Sequence, residues 1–315
     1  MKKLAVKNTN AMRHKEFSIN LLNDFFRFLD VSEKTRATYQ RALKQVFKFF
    51  ADNGVKSPTH DDLINFKFTL ENTGHKASTI ALYLAASRRF FSWCEQRGIY
   101  PNITTGIKAP KQERGHKRDF FGVAQIKNIL SGFDRSTLKG KRDYAIFSLM
   151  AGCGLRTIEI IRANLDDLRT LGEFTVLYVQ GKGRKDRADF VKISPQVMSA
   201  INDYLSQRGQ VCTIDDTEPL FTSISNHNHN GRLTTKSISR LAKSAMRQAG
   251  YNSSRLSAHS LRHSAVTLAI LGGMDLSEVQ AFARHSNIAT TQIYSHAVNR
   301  LNSLCENIIS DMIFN

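Results

Sequence analysis

The sequence predicts a mainly α-helical chain with a small β-hairpin or sheet, an α+β fold in two domains. Three observations lead there. Apolar residues recur at helical spacing over most of the chain, two extended runs flank Gly181-Lys182-Gly183, and a polar, basic break crosses residues 109–118. At 315 residues the chain is also longer than one typical domain.

Residues 17–98 read as four helices. Phe17, Leu21, Leu22, Phe25, Phe28 and Leu29 form one apolar stripe, and Leu43, Val46, Phe47 and Phe50 form another. Thr59-His60-Asp61-Asp62 has the form of a capping box ahead of Leu63, Ile64 and Phe66. Ser78 opens a long helix through Ile80, Tyr83, Leu84, Phe90 and Phe91, and Gly98 stands where a helix stops. The phenylalanine stripes read as core and not as stacking platforms for bases. Lys34, Arg36, Arg41, Lys44, Lys76, Arg88 and Arg89, on the opposite faces, are the candidates for phosphate contact. Residues 109–118, broken by Pro110 and Gly115 and without apolar period, read as an interdomain linker.

From Asp119 onward the pattern is mixed. Helices are expected over 123–132, 140–152 and 156–163, then over 195–208, 235–249, 260–272, 276–284 and 289–312. Phe174–Gln180 is rich in β-branched and aromatic residues, and Ala188–Ile193 is a second extended run, so Gly181–Arg187 reads as the turn of a hairpin. Asn226–Gly231 is a polar loop, which accounts for His227 and His229 by solvation.

Composition narrows the function. The formal net charge is +18, which favours a polyanionic partner. Residues 1–118 carry 22 Lys+Arg against 10 Asp+Glu, a net of +12, leaving +6 for the longer remainder. No apolar run is long enough to span a membrane, and the basic N-terminus lacks the apolar stretch of a signal peptide. Cys94, Cys153, Cys212 and Cys305 are scattered, as in a reduced, cytosolic protein.

The last third concentrates chemistry around one tyrosine: His259-Ser260-Leu261-Arg262-His263, then Arg284-His285-Ser286, then Thr290-Thr291-Gln292-Ile293-Tyr294. Upstream lie Gly154-Leu155-Arg156-Thr157-Ile158-Glu159 and the Lys182 turn. Phosphodiester cleavage without a metal needs a nucleophile, cations on the non-bridging oxygens and a proton for the departing oxygen. Arginine forks onto two oxygens, so Arg156 and Arg262 suit the clamp. Lys182 on a flexible turn suits protonation of the leaving group. A tyrosine that attacks phosphorus conserves the bond energy, so the strand can be rejoined without ATP. His259 and Arg262 share a helix face, and Tyr294 falls early in a helix, where it could project into a cleft. His259 and His263 have the spacing of half a zinc site, but Ser260 stands where a metalloprotease motif needs glutamate. Glu159 reads as orienting a neighbour or its helix, and His263 as a structural or phosphate-contacting residue rather than as the catalytic base.

Read together, these spellings resemble the tyrosine recombinase or phage-type integrase family, particularly its Xer-like bacterial members. The family patterns G-L-R-x-x-E, G-K-G-x-x-x-R, H-x-L-R-H and G-H-x-x-x-x-T-T-x-x-Y correspond to Gly154–Glu159, Gly181–Arg187, His259–His263 and His285–Tyr294, and Pro219-Leu220-Phe221 matches a further element. The resemblance implies that Arg156, Lys182, His259, Arg262 and His285 activate the phosphate and that Tyr294 is the nucleophile, with no cofactor and no metal. Lys185, three residues beyond Lys182, is the rival lysine. The family usually has Leu-Gly-His where this chain has Ala283-Arg284-His285; the added arginine either alters the helix turn or adds a phosphate contact.

The resemblance also implies an N-terminal extension (1–16), a helical core-binding domain that clamps DNA (17–108), the linker (109–118) and a tyrosine-recombinase catalytic domain (119–315) ending in an oligomerisation tail. The implied function is site-specific DNA recombination through a 3′-phosphotyrosyl intermediate and a Holliday junction. It would serve integration and excision of a mobile element or Xer-type resolution. The partners implied are double-stranded DNA sites and three further copies on DNA through the tail, with an accessory DNA-binding factor as a further candidate; no membrane is involved. The expected location is the cytoplasm, at the nucleoid. Two other classes stay open: a type IB topoisomerase with similar Arg/Lys/His/Tyr chemistry, and a catalytically inactive DNA-binding regulator of the same fold. The Xer-like spellings and helical first half weigh against the former, and the intact residue set against the latter.

Overall fold

The computed structural model describes residues 19–111, 119–181, 186–210, 217–301 and 303–314. Residues 1–18 and most of the expected linker lie outside the described residues, as does the turn at Lys182–Lys185. The chain divides into two compact units, the first ending and the second beginning between Arg114 and Gly115.

The described part of the first unit holds four helices, as the periodicity predicts: α1 (Ile19–Phe28), α2 (Glu33–Asp52), α3 (His60–Asn72) and α4 (Ala77–Gln96). Local chemistry sets their ends. Ser32 Oγ accepts the Thr35 N–H at the start of α2. The expected capping box is present on α3, where Thr59 Oγ1 accepts the Asp62 N–H at 3.3 Å and Asp62 Oδ2 accepts the Thr59 N–H at 2.8 Å. Gly98, at φ +62°, ends α4 in the left-handed region while the Ile99 N–H reaches back to Cys94 O. α4 begins one residue before Ser78, with Lys76 as an N-cap that makes no side-chain bond.

The stripes meet in one core. Phe25, Leu43, Phe50, Leu63, Leu84, Phe90 and Phe91 are buried, and Phe90 takes Phe25 and Phe47 edge-on at 5.2 and 5.3 Å. Phe28 departs from its stripe: it is 52% exposed, against Trp93 and Arg97 at the helix end. Lys34, Arg41, Lys44, Lys76, Arg88 and Arg89 are exposed, whereas Arg36 is half-buried and occupied by Glu33 and Leu29 O.

The described part of the second unit runs α5 (Val123–Ser131), α6 (Leu138–Gly152), α7 (Thr157–Arg162), β1 (Leu168–Leu171), β2 (Phe174–Val179), β3 (Asp189–Lys192), α8 (Pro195–Gly209), α9 (Thr235–Gln248), α10 (Ala258–Leu271), α11 (Leu276–Ala283), α12 (Ile288–Leu301) and α13 (Cys305–Phe314). α6 is buried almost all round through Ala145, Ile146, Phe147, Leu149 and Met150, with α8 and α10 packed against it. The sheet is antiparallel in the order β1-β2-β3, with Val176 opposite Lys192 and Leu177 opposite Leu168.

Two elements differ from the sequence reading. β1 was not predicted. It is a short outer strand, three of whose four residues are exposed, so it shows no apolar alternation. Gly172 at φ +60° begins the two-residue turn that joins it to β2. The single helix predicted over 289–312 is two helices, broken at Ser303-Leu304, where Ser303 Oγ accepts the Cys305 N–H. None of the described residues of α13 is buried: Leu304 is 64% exposed, Met312 81% and Phe314 80%.

Candidate active site

The site is assembled where the end of α6, the start of α10 and the turn after α11 meet. Gly154, at φ +60°, lets the chain reverse after α6, and a Cβ there would lie 3.2 Å from the Phe282 ring. Leu155 is then buried, and Arg156 becomes the extended N-cap of α7. Its Nη1 donates to Glu159 Oε1 at 2.7 Å, and its backbone N–H donates to Glu159 Oε2 at 2.8 Å.

Glu159 is 1% exposed and serves a second arginine. Arg284 Nη2 donates to Glu159 Oε2 at 2.9 Å, and its Nη1 to Phe282 O at 2.8 Å. Arg284 caps α11 in the left-handed conformation, at φ 51° and ψ 48°. Arg284 thus stands in the left-handed cap that a glycine takes most readily, so the arginine is accommodated in an ordinary helix stop. The guanidinium is turned inward onto protein acceptors instead of outward. Burial works to raise the Glu159 carboxyl, but Arg284, the Arg156 N–H and the Arg156 guanidinium outweigh it and hold the acid below its ordinary range.

Arg262, 1% exposed on α10, donates from Nη1 to Gly154 O at 2.6 Å and from Nη2 to Ala283 O. One side chain thus ties the α6–α7 turn to the end of α11. Burial pulls this guanidinium below its usual value, and Arg156 and Arg284 beside it add to the effect. His285 lies among the same cations. Its Nδ1 is 3.0 Å from Thr291 Oγ1, and Gln280 Nε2 donates to its carbonyl. Burial, then Arg262, Arg156, Arg284 and His259, push its ring down to about 4, so it is neutral at pH 7.

Tyr294 does not project into an open cleft, as its position in the sequence suggested. It is 4% exposed, packed with Val266, Val279 and Ala283 in a small satellite core. Its hydroxyl lies 2.5 Å from His263 Nδ1, and its ring lies 5.1 Å from the His263 ring and 6.2 Å from the His285 ring. His259, one turn earlier on α10, is exposed and meets His263 edge-on at 4.7 Å.

The structure therefore brings Arg156, His259, Arg262, His285 and Tyr294 into one neighbourhood. Lys182 and Lys185 lie outside the described residues. His263 and Arg284 are the additions. The first was read as structural or phosphate-contacting, and its helical offset from His259 was the signal that it faced the same site. The second was marked by standing where the family pattern has glycine. A cleft of about 670 Å³ between β3 and α11 opens onto Lys192, Arg284, His285 and Ser286. In the first unit a groove of about 640 Å³ is lined by Arg88, Arg89, Asn102, Thr105 and Lys108. Among the described residues no three His, Cys, Asp or Glu side chains are grouped to hold a metal ion. Nor is any described helix long and apolar enough to cross a membrane.

Comparison with known proteins identifies the family. Residues 120–300 match the phage integrase family, and residues 21–98 match the phage integrase N-terminal SAM-like domain. Tyrosine recombinase XerD of Lacticaseibacillus casei is 31% identical over 286 residues, covering 89% of this chain and 94% of the relative. Tyrosine recombinase XerC of Haemophilus influenzae strain Rd is 33% identical over 286 residues, covering 88% and 92%. Among solved structures, the XerH recombinase bound to palindromic difH after cleavage has a TM-score of 0.71 at 20% identity, covering 87% of this chain and 79% of that one. The Tn1549 transposon integrase in complex with transposon right end DNA has a TM-score of 0.67 at 17% identity, covering 90% and 97%. At these identities the structural likeness is one of fold. The family match extends over more than half of the sequence and takes in every element that carries the arginines, histidines and tyrosine; the chain is a member of the phage integrase family, the tyrosine recombinases.

Proposed function

We propose that Tyr294 of this tyrosine-type site-specific recombinase attacks a phosphodiester of a double-stranded DNA site, leaving a 3′-phosphotyrosyl link and a free 5′-hydroxyl. Arg156 and Arg262 neutralise the non-bridging oxygens, His259 and His285 hydrogen-bond the phosphate, and Lys182 protonates the departing 5′-oxygen. A second attack by the 5′-hydroxyl of a partner strand rejoins the backbone, and two such rounds pass through a Holliday junction. The observation that carries the reading is the grouping of Arg156, Arg262 and His285, with Glu159 holding Arg156 in place and the His285 ring 6.2 Å from that of Tyr294.

Residues 17–108 act in this scheme as the DNA clamp, 109–118 as the linker and 119–315 as the catalytic domain, with 1–16 as an extension. The exposed basic faces of α2 and α4 contact phosphate, so binding weakens steeply with salt. The exposed apolar face of α13 docks on a neighbouring copy, giving a tetramer on two DNA sites, with an accessory DNA-binding factor as an optional partner at the nucleoid. α13 follows α12 after a short break, and α12 carries Tyr294. Docking of the tail therefore couples the setting of the Tyr294 helix to assembly.

The test is covalent capture from a pool of nicked duplexes of randomised sequence, read on a denaturing gel. A protein–DNA band present in the wild type and absent in Tyr294→Phe supports the reading. A band that persists in Tyr294→Phe, or no band from the wild type with a site recovered independently, rejects it.

A further inference from the structure

We infer that His263 is a further catalytic residue: its Nδ1 takes the phenolic proton of Tyr294 as the Tyr294 Oη–phosphorus bond forms, and returns it when the strand is rejoined. The inference rests on the reading of Tyr294 as nucleophile and adds the group that activates it.

The geometry singles out this ring. His263 Nδ1 lies 2.5 Å from the Tyr294 hydroxyl, within the reach required of a general base. The two rings, 5.1 Å apart and inclined at 34°, are held by α10 and α12, which pack on each other. The neighbouring histidines are placed for other work. His285 has its Nδ1 against Thr291 Oγ1, and its ring is farther from the phenol, at 6.2 Å. His259 is exposed at the start of α10, on the open side of the site, and touches His263 with its ring edge-on. His263 is half-buried between that outer histidine and the tyrosine, next in sequence to Arg262.

The step balances. With Nδ1 unprotonated and the proton on Nε2, the phenol donates its hydrogen bond to Nδ1. The O–H proton passes to Nδ1 as Oη bonds to phosphorus and the bond from phosphorus to the 5′-oxygen breaks. The leaving oxygen takes its proton from a separate acid, Lys182 in the scheme above. No oxidant, metal or cofactor enters, and the proton given to the imidazole remains beside the phosphotyrosine until the 5′-hydroxyl attacks. In the reverse step the phenolate leaves phosphorus and recovers that proton.

The test uses the full chain and a nicked duplex recovered by the covalent capture described above, under single-turnover conditions. His263→Ala is expected to slow formation of the covalent adduct by about 10²-fold or more, and added imidazole is expected to restore part of the rate. His263→Asn keeps an oxygen near the Nδ1 position, so it retains a hydrogen bond and the packing but cannot take the proton. It is expected to be as slow as His263→Ala while binding the duplex as tightly as the wild type. With a 5′-bridging phosphorothiolate, whose leaving group needs no proton, the defect of both variants persists, whereas that of Lys182→Ala is relieved. Adduct formation at the wild-type rate in His263→Asn, or faster than wild type in His263→Ala, overturns the inference and leaves His263 as a support or a latch for the tyrosine. A wild-type adduct that survives in Tyr294→Phe rejects the nucleophile itself, a separate outcome.

Discussion

Replacing Glu159 by glutamine removes one charge and almost no volume, and the structure predicts a large cost. The carboxylate is 1% exposed and accepts three hydrogen bonds: from the Arg156 N–H at 2.8 Å, from Arg156 Nη1 at 2.7 Å and from Arg284 Nη2 at 2.9 Å. Glutamine keeps one acceptor oxygen and turns an NH₂ group toward donors. Net hydrogen bonds to charged groups contribute about 1.5–3 kcal/mol each, and removing one partner of a buried ion pair costs about 3–5 kcal/mol. Arg156 retains partial access to water, with 25% of its side chain exposed, which moderates the loss, while Arg284 at 6% does not. The expected destabilisation of the second unit is therefore about 3–4 kcal/mol. Hydrogen exchange of peptides from α6 and α10 reads that unit by itself. The pH dependence provides a second check. The Glu159 carboxyl in the folded chain lies below its unfolded value of about 4.3. Its contribution is then fully present above that pH and is lost as pH falls through the folded value. The difference between wild type and Glu159→Gln should be constant from about pH 6 to 8 and begin to narrow only as pH falls below the unfolded value. A difference under about 1 kcal/mol at pH 7, the size of an exposed pair, would refute the claim that Glu159 anchors the two arginines.

Other perturbations separate the roles of Arg284, His285, α13 and the basic face of α4. Arg284→Gly restores the residue suited to φ 51° and relieves about 1–2 kcal/mol of left-handed strain, but it loses a buried ion pair; calorimetry should find the variant less stable, by about 2 kcal/mol. His285 is lowered to about 4, below its unfolded value of about 6.5, so the neutral ring stabilises fully above that value and the benefit is lost as pH falls through the window. Because the ring is only half-buried, the loss between pH 6.5 and 4 should be about 1 kcal/mol after screening, read as the difference between wild type and His285→Asn in urea melts. Deleting Cys305–Phe314 removes no buried residue. The melting of the second unit should stay within about 0.5 kcal/mol, while complexes joining two duplexes disappear from native gels. Arg88→Ala with Arg89→Ala should weaken duplex binding and reduce the slope of log affinity on log salt by about 2.

Much of this was legible in the chain itself, for identifiable reasons. The α2 and α4 stripes and the Thr59–Asp62 box are local signals, because helical periodicity and capping act within one or two turns, and the structure shows both. Gly98 was legible as a stop because the left-handed cap needs a residue without Cβ. β1 was not legible, since a short, mostly exposed strand is defined by pairing with β2 rather than by its own pattern. The break between α12 and α13 was hidden because apolar residues continue on both sides of Ser303. At the site, the spacing of Arg156, Arg262, His285 and Tyr294 marked residues that the fold groups together but not their burial or orientation. Burial of Tyr294 depends on Val266, Val279 and Ala283 closing around it, and the inward turn of Arg284 depends on Glu159, 125 residues away in sequence.

The proposed function stands on a covalent bond between the Tyr294 hydroxyl oxygen and a DNA phosphorus. The most direct measurement traps the adduct on the captured duplex, digests both protein and DNA, and locates the nucleotide by mass spectrometry. The expected result is a single modified peptide from α12, carrying a 3′-linked nucleotide on Tyr294 and lost in Tyr294→Phe. A nucleotide found on another residue, or linked through its 5′-phosphate, would contradict it.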